Sequence, residues 1–332
     1  MLLYIKWMLF VIILAGLAFF IAQTDLGTMQ QSFIQLGWRG FGWVMLITFA
    51  AYFVAAIGWK ICLPNTKYNL FQVFIVRQVG EVITLINPTG IVGGEAAKWA
   101  LMEKDGSGKK ELAASIMVAR IILIYTQLFC FVAAYLLLYF SGMQFPHFVN
   151  TAVFLLYTFI ILLVLLLIMF SRKQKGLQEN KSLPANVFRK YLYKLQEATK
   201  EALLFFREHP KRVFHSSVMG LFHWVVGGLE IYFILQFLGI SIGVTTSVFV
   251  DLGVVFFKTM GVLVPGQIGI EEWGNKTMLE TTGIQNATTW IVVSLIRRAR
   301  QLCWIGLGLL GYFFLHPSLP VLQNRPNGNI IH

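Results

Sequence analysis

Apolar positions run through this chain in long blocks rather than in stripes. Residues 7–22 (WMLFVIILAGLAFFIA) and 151–170 (TAVFLLYTFIILLVLLLIMF) carry no charge at all, and they approach or reach the roughly 20 residues a helix needs to cross hydrocarbon. Further apolar blocks lie at about 40–63, 113–140, 213–238 and 288–315. None shows the two-residue alternation over about ten positions that marks a membrane β-barrel strand. The first block reads as a helix rather than a cleaved signal peptide, because it is long and no A-x-A site follows it.

Two segments break the pattern. Residues 71–100 (FQVFIVRQVGEVITLINPTGIVGGEAAKWA) are too apolar for a solvated loop, yet they hold Arg77, Glu81, Glu95 and Lys98 around Asn87, Pro88 and Gly90. Proline removes a backbone donor and clashes with a continuing helix, while Gly90, Gly93 and Gly94 permit a turn and close approach. Residues 248–279 repeat the grammar with Pro265, Gly266 and Gly269 ahead of Glu271 and Glu272. Each segment is predicted to be a helical hairpin that enters the membrane and leaves on the same side, tolerable only where protein or a polar cavity covers its turn.

The two segments align without a gap. Pro88 and Pro265, Glu95 and Glu272, and Arg120 and Arg297 are each 177 residues apart. The same shift carries the block at 40–63 onto 213–238 and the block at 113–140 onto 288–315. The predicted fold class is therefore an all-α integral membrane protein with about six transmembrane helices plus two re-entrant hairpins. Its repeats, about 40–140 and about 213–315, are inverted relative to each other within one membrane domain, 1–315. Inverted repeats with broken elements point to a transporter-type binding site.

Charge sets the orientation. Of the 27 Lys and Arg in 332 residues, eleven fall within 171–212, against four Glu there. By the positive-inside rule that loop is cytoplasmic, and the basic-free connections 23–37, 141–147, 239–247 and 279–290 face the other side. Both termini, including the tail 316–332, are then cytoplasmic. Within the loop, Phe188, Tyr191, Leu192, Leu195, Ala202, Leu203 and Phe206 share a helical face among basic residues. Two readings stand: a helix lying on an anionic leaflet, or one packed against the bundle ends. Nucleic acid is not an expected partner, because basic charge flanking membrane spans is ordinary.

Chemistry-bearing residues are few. Overall, 57% of positions are apolar and only 13% charged, well below the quarter typical of soluble domains, so each intramembrane charge needs a reason. Cys62, Cys130 and Cys303 stand singly, and the six histidines form no ligand pattern; no metal or other cofactor is expected. Charges inside hydrocarbon face protein or water and pair. The expected pairs are Glu95 with Arg120 and Glu272 with Arg297. Two readings stand here as well: the pairs pin each hairpin to a neighbouring helix, or they line a polar cavity shared by the repeats. In the second, Arg77, Lys98 and the arginines hold a phosphate head group, which suits the planar arginine fork. Asp251 and Lys258 are spaced to share a helical face. Glu230 fits helix packing or a proton relay, and Arg298 and Arg300 receive no role.

The run Pro88-Thr-Gly-Ile-Val-Gly-Gly-Glu95-Ala-Ala-Lys98, with Pro265-Gly-Gln-Ile-Gly-Ile-Glu-Glu272, resembles the flippase-like membrane domain of lysylphosphatidylglycerol synthases. The same domain also stands alone in proteins linked to hopanoid and lipid-linked sugar pathways. The resemblance covers about 1–315 and implies movement of a lipid, or a lipid-linked head group, between leaflets of a prokaryotic cytoplasmic membrane. The family often carries Arg where this chain has Lys98, which keeps charge but loses the bidentate fork. The resemblance brings no aminoacyl-transferring domain with it, so lysyl transfer is not expected of the chain. The expected function is a lipid flippase or transporter, not an enzyme, with membrane lipids as partners. The alternatives are a membrane-embedded lipid-modifying enzyme using Glu95 or Glu272 as general base, and an accessory protein recruiting a cytosolic lipid-modifying enzyme.

Overall fold

The computed structural model describes residues 26–63, 68–86, 91–102, 109–151, 153–155, 158, 201–260, 267 and 269–315. The block at 7–22, most of the block at 151–170, most of the basic loop, the tail and the turn residues Asn87, Pro88, Gly90, Pro265 and Gly266 lie outside them. Among the described residues every regular element is helical. The principal helices are α1 (Leu26–Cys62), α2 (Leu70–Ile86), α3 (Ile91–Met102), α4 (Lys109–Phe140), α5 (Pro210–Phe237), α6 (Val244–Met260), α7 (Ile270–Thr281) and α8 (Ala287–Leu315).

Helix length divides these elements into two kinds. Leu36–Cys62, Lys110–Phe140 and Pro210–Phe237 are long and apolar enough to cross a membrane. The helix α8 has 29 residues, but Arg297, Arg298 and Arg300 lower its hydropathy, so only three of the expected spans carry that signature among the described residues. The other four helices are short: α2 and α6 have 17 residues each, α3 and α7 have 12. At 1.5 Å per residue a 12-residue helix is about 18 Å long, well under the roughly 30 Å of hydrocarbon. These short helices pair as α2 with α3 and α6 with α7, where hairpins are expected.

Each local feature has a cause in the chain. The helix α1 kinks at Gly37, whose φ of 70° and ψ of 163° belong to a region that only glycine enters freely. Pro210 opens α5, where its missing N–H costs nothing. Polar side chains then clasp the long helices together. Ser216 Oγ donates to the Gly58 carbonyl at 2.9 Å, His223 Nδ1 lies 2.9 Å from the Ala51 carbonyl, and Trp224 Nε1 donates to the Leu123 carbonyl at 2.9 Å. Inside lipid such interhelical bonds contribute about 0.6 kcal/mol each on average, so packing does most of the work.

The two largest apolar cores among the described residues form one around each pair of short helices. The larger joins Val44, Ile231, Leu235, Phe249, Leu252, Leu279 and Ile296. The smaller joins Ala56, Trp59, Val73, Val76, Met102, Ile116 and Trp304. The short pairs also reach across the molecule: α2 packs on α8, and α6 packs on α4. Outward-facing Ile34, Phe129, Leu137, Phe140, Phe222 and Leu310 remain exposed, an apolar belt suited to lipid rather than water. In the described end of the basic loop, helical residues 201–208 pack inward. Ala202 is buried with Cys62, Val118 and Ile122, and Phe205 and Phe206 pack against them. Of the two readings of that helix, this end follows the packed one.

Candidate functional site

The first hairpin gathers charge beside a cleft. Arg77 and Glu81 lie four residues apart on α2, one helical turn, while α3 carries Glu95 and Lys98 and α4 carries Arg120. Lys98 Nζ stands 3.1 Å from Glu81 Oε1 and 3.1 Å from Glu95 Oε1. Arg120 approaches Glu95 Oε1 only to 3.9 Å. Arg77 is buried, donates from Nη1 to the neutral Gln78 Oε1 at 2.9 Å, and lies over the Tyr52 ring at 5.2 Å. Small residues bring the two arms together. A side chain at Gly94 would collide with Thr84 Oγ1 and the Gly80 carbonyl, and one at Gly80 would collide with the stem of Lys98.

These residues line a small, half-open cleft, with about 20 Å³ of room for the centre of a water-sized guest, together with Ala55, Trp59, Ile116, Ala119 and Leu123. Among the described residues, three cations face two carboxylates there, leaving one positive charge over. Lys98 engages both carboxylates, and the buried Nε of Arg120 has no acceptor.

The second pair of short helices meets a different set. Arg297 on α8 is buried, with Nη2 2.7 Å from Asp251 Oδ1, Nε 3.4 Å from Glu271 Oε1 and 3.9 Å from Glu230 Oε1. Its Nη1 donates to Asn275 Oδ1 at 3.2 Å, and Asn275 Nδ2 donates to Ser294 at 2.9 Å. Arg300 Nε stands 2.8 Å from Glu230 Oε1, and its Nη1 donates to the Tyr52 hydroxyl at 2.8 Å. Lys258 and Gln301 both reach Glu271 Oε2, at 3.4 and 2.6 Å. Arg298 pairs with Glu272, whose other oxygen accepts the Gly269 amide at the start of α7. Four acidic groups (Glu230, Asp251, Glu271, Glu272) thus meet four basic ones (Lys258, Arg297, Arg298, Arg300), and the set is neutral.

Several expectations change. Arg77, Glu95, Lys98 and Arg120 do come together. Glu272 pairs with Arg298 rather than Arg297, because adjacent positions on a helix point about 100° apart and it is Arg298 that faces the start of α7. Arg297 turns instead into the three carboxylates behind it. Neither Glu272 nor Arg297 lines this cleft. Asp251 and Lys258 go to different partners. Gly269 caps α7 and Gly93 lies in α3. Glu81, Glu271, Tyr52, Trp59 and Arg300 were missed as members of these sets. Only Glu81, one helical turn from Arg77, carried a visible signal.

Long apolar helices packed with short paired ones, with the buried charges among the described residues paired or beside a cleft, define a polytopic helical membrane protein. Residues 7–309 match the family model for the lysylphosphatidylglycerol synthase TM region, and the chain belongs to that family, whose role lies with membrane lipids. No curated protein and no solved structure matches the chain.

Proposed function

We propose that the protein moves a lipid with an anionic or lipid-linked head group between the leaflets of the cytoplasmic membrane, with both termini on the cytoplasmic side. The head group passes through the cleft of the first hairpin while the acyl chains stay in lipid. The observation that carries this reading is the uncompensated positive charge of an open cleft, lined by Arg77, Lys98 and Arg120, within a membrane-embedded fold. A charge inside hydrocarbon is costly and is kept where it serves a guest or a partner.

We further take the molecule as two inverted repeats whose short helices are re-entrant. The packing supports this. Exchange α1 with α5, α2 with α6, α3 with α7 and α4 with α8, and each packed pair maps onto another: α2–α8 onto α6–α4, α1–α8 onto α5–α4, α3–α4 onto α7–α8. Such folds carry solutes by rocking one half against the other. The cleft binds and passes its guest rather than reacting with it, since Lys98 holds both carboxylates that could serve as a general base. Membrane lipids are the partners, and a cytosolic lipid-modifying enzyme is a natural supplier of the substrate.

The test is leaflet exchange in liposomes. The purified chain, reconstituted with fluorescent phosphatidylglycerol, is expected to render the inner-leaflet probe accessible to dithionite, and Arg120→Gln is expected to slow that exchange. Liposomes that show no exchange beyond protein-free controls would overturn the reading, and turnover of the lipid into a new species would replace it with an enzymatic one.

A further inference from the structure

We propose that the cleft beside the first hairpin seats a tetrahedral oxyanion of the phosphate class, held by the indole N–H of Trp59 together with the guanidinium groups of Arg120 and Arg77. The proposal deepens the transport reading and rests on it for the lipid that carries the phosphate, not for the anion itself.

Trp59 is only 4% exposed and lines the cleft, yet its Nε1 donor has no acceptor. Arg120 borders the same cleft from α4, and its buried Nε also lacks an acceptor. Buried donors in folded proteins are nearly always satisfied, so two orphans around one cavity point to a guest that brings acceptors. The guest must be negative. Lys98 already balances Glu81 and Glu95, while Arg77 has a neutral hydrogen-bond partner, an aromatic face beneath it, and no carboxylate within ion-pair distance among the described residues.

The guest must also be rich in oxygen. The indole and the two guanidinium groups border one cleft from three helices, and an acceptor with several lone-pair directions can answer them together. A cation would meet excess positive charge, and a neutral hydroxyl would leave that charge unbalanced. The second charge cluster shows the contrast. There the nitrogens without a well-aligned hydrogen bond, Arg297 Nε and Arg300 Nε, already stand 3.4 and 2.8 Å from carboxylate oxygens, so no place for an anion remains.

The experiment is calorimetric titration of the full chain in detergent micelles with dioctanoyl phosphatidylglycerol, with uncharged dioctanoylglycerol, and with inorganic phosphate as competitor. The phosphatidylglycerol is expected to bind and the glyceride not to. Displacement by inorganic phosphate would show that the free anion is a ligand too; no displacement would show that the phosphate is recognised only on its lipid. Trp59→Phe, which keeps a ring and loses the donor, is expected to weaken binding about tenfold. Arg120→Lys, which keeps charge and loses the fork, is expected to weaken it by a similar factor, with the unfolding temperature of both near that of the parent. Equal affinity for the uncharged glyceride would overturn the proposal. So would unchanged phosphatidylglycerol affinity in Trp59→Phe, because water alone would then be answering the indole. Charge-dependent binding without leaflet exchange keeps this site and removes the transport reading; exchange indifferent to head-group charge does the reverse.

Discussion

The two charge clusters were built from similar parts and turned to opposite ends. Beside the first hairpin three cations face two carboxylates across an open cleft, and donors are left over. Beside the second, four face four, each deep carboxylate is contacted from at least one side, and none of the eight lines that cleft. The difference persists at matching positions. Gly94 lets α3 touch α2 closely, whereas 177 residues on stands Glu271, a hub for Arg297, Lys258 and Gln301. Likewise Glu81 in the first hairpin stands opposite Lys258 in the second. Balanced charge at depth holds a fold together; unbalanced charge beside a cleft invites something in.

The sharpest way to break this comparison is Arg297→Met. It leaves Asp251, Glu271 and Glu230 facing one another without the guanidinium they share, and removing one partner from a buried ionic set costs about 3–5 kcal/mol. The variant is expected to lose most of its folded yield, read as the monodisperse fraction on size exclusion in detergent. A variant as stable as the parent would show that the second cluster is no more structural than the first.

Next comes Gly94→Ala. The added methyl meets Thr84 and the Gly80 carbonyl, a backbone atom that cannot step aside, so the arms must separate at a cost of about 1–3 kcal/mol. A thermal unfolding midpoint in detergent lowered by several degrees is the expected result. An unchanged midpoint would mean the hairpin arms are not held by that contact.

Arg120→Gln addresses function rather than stability. Its side chain is partly exposed and stands 3.9 Å from the Glu95 carboxylate, so the loss of that ion pair should shift stability by no more than about 1 kcal/mol. Leaflet exchange of an anionic lipid is expected to fall about tenfold, a barrier change of about 1.4 kcal/mol. If stability collapses while residual protein exchanges normally, the first cluster is the structural one.

How much of this was legible in the chain follows from helix geometry. The breaks between the short paired helices were visible because proline and glycine interrupt apolar runs too charged to be plain spans. Arg77, Glu95, Lys98 and Arg120 could be gathered because two short arms and the next helix have few ways to sit. The partner of Glu272 was not legible. Arg297, Arg298 and Arg300 fan over three directions of one helix, and choosing among them requires its rotation about its own axis, which spacing does not set. Trp59 and Tyr52 were silent for another reason: in apolar helices an aromatic ring looks like packing until its polar atom is seen beside a charge.

Tyr52 carries the smallest expected effect and the finest test, because it touches both clusters: its ring lies beneath Arg77 and its hydroxyl accepts from Arg300 at 2.8 Å. Tyr52→Phe keeps the ring and removes the acceptor, leaving Arg300 with Glu230, at an expected cost of about 1 kcal/mol in thermal unfolding. If the clusters are separate devices, exchange of an anionic lipid stays within about twofold of the parent, since nothing at the cleft has changed; a twofold effect is only about 0.4 kcal/mol in barrier. If exchange instead falls in step with stability, the closed cluster sets the pose of Arg77 through this ring, and the contrast between a structural half and a binding half gives way to a single coupled unit.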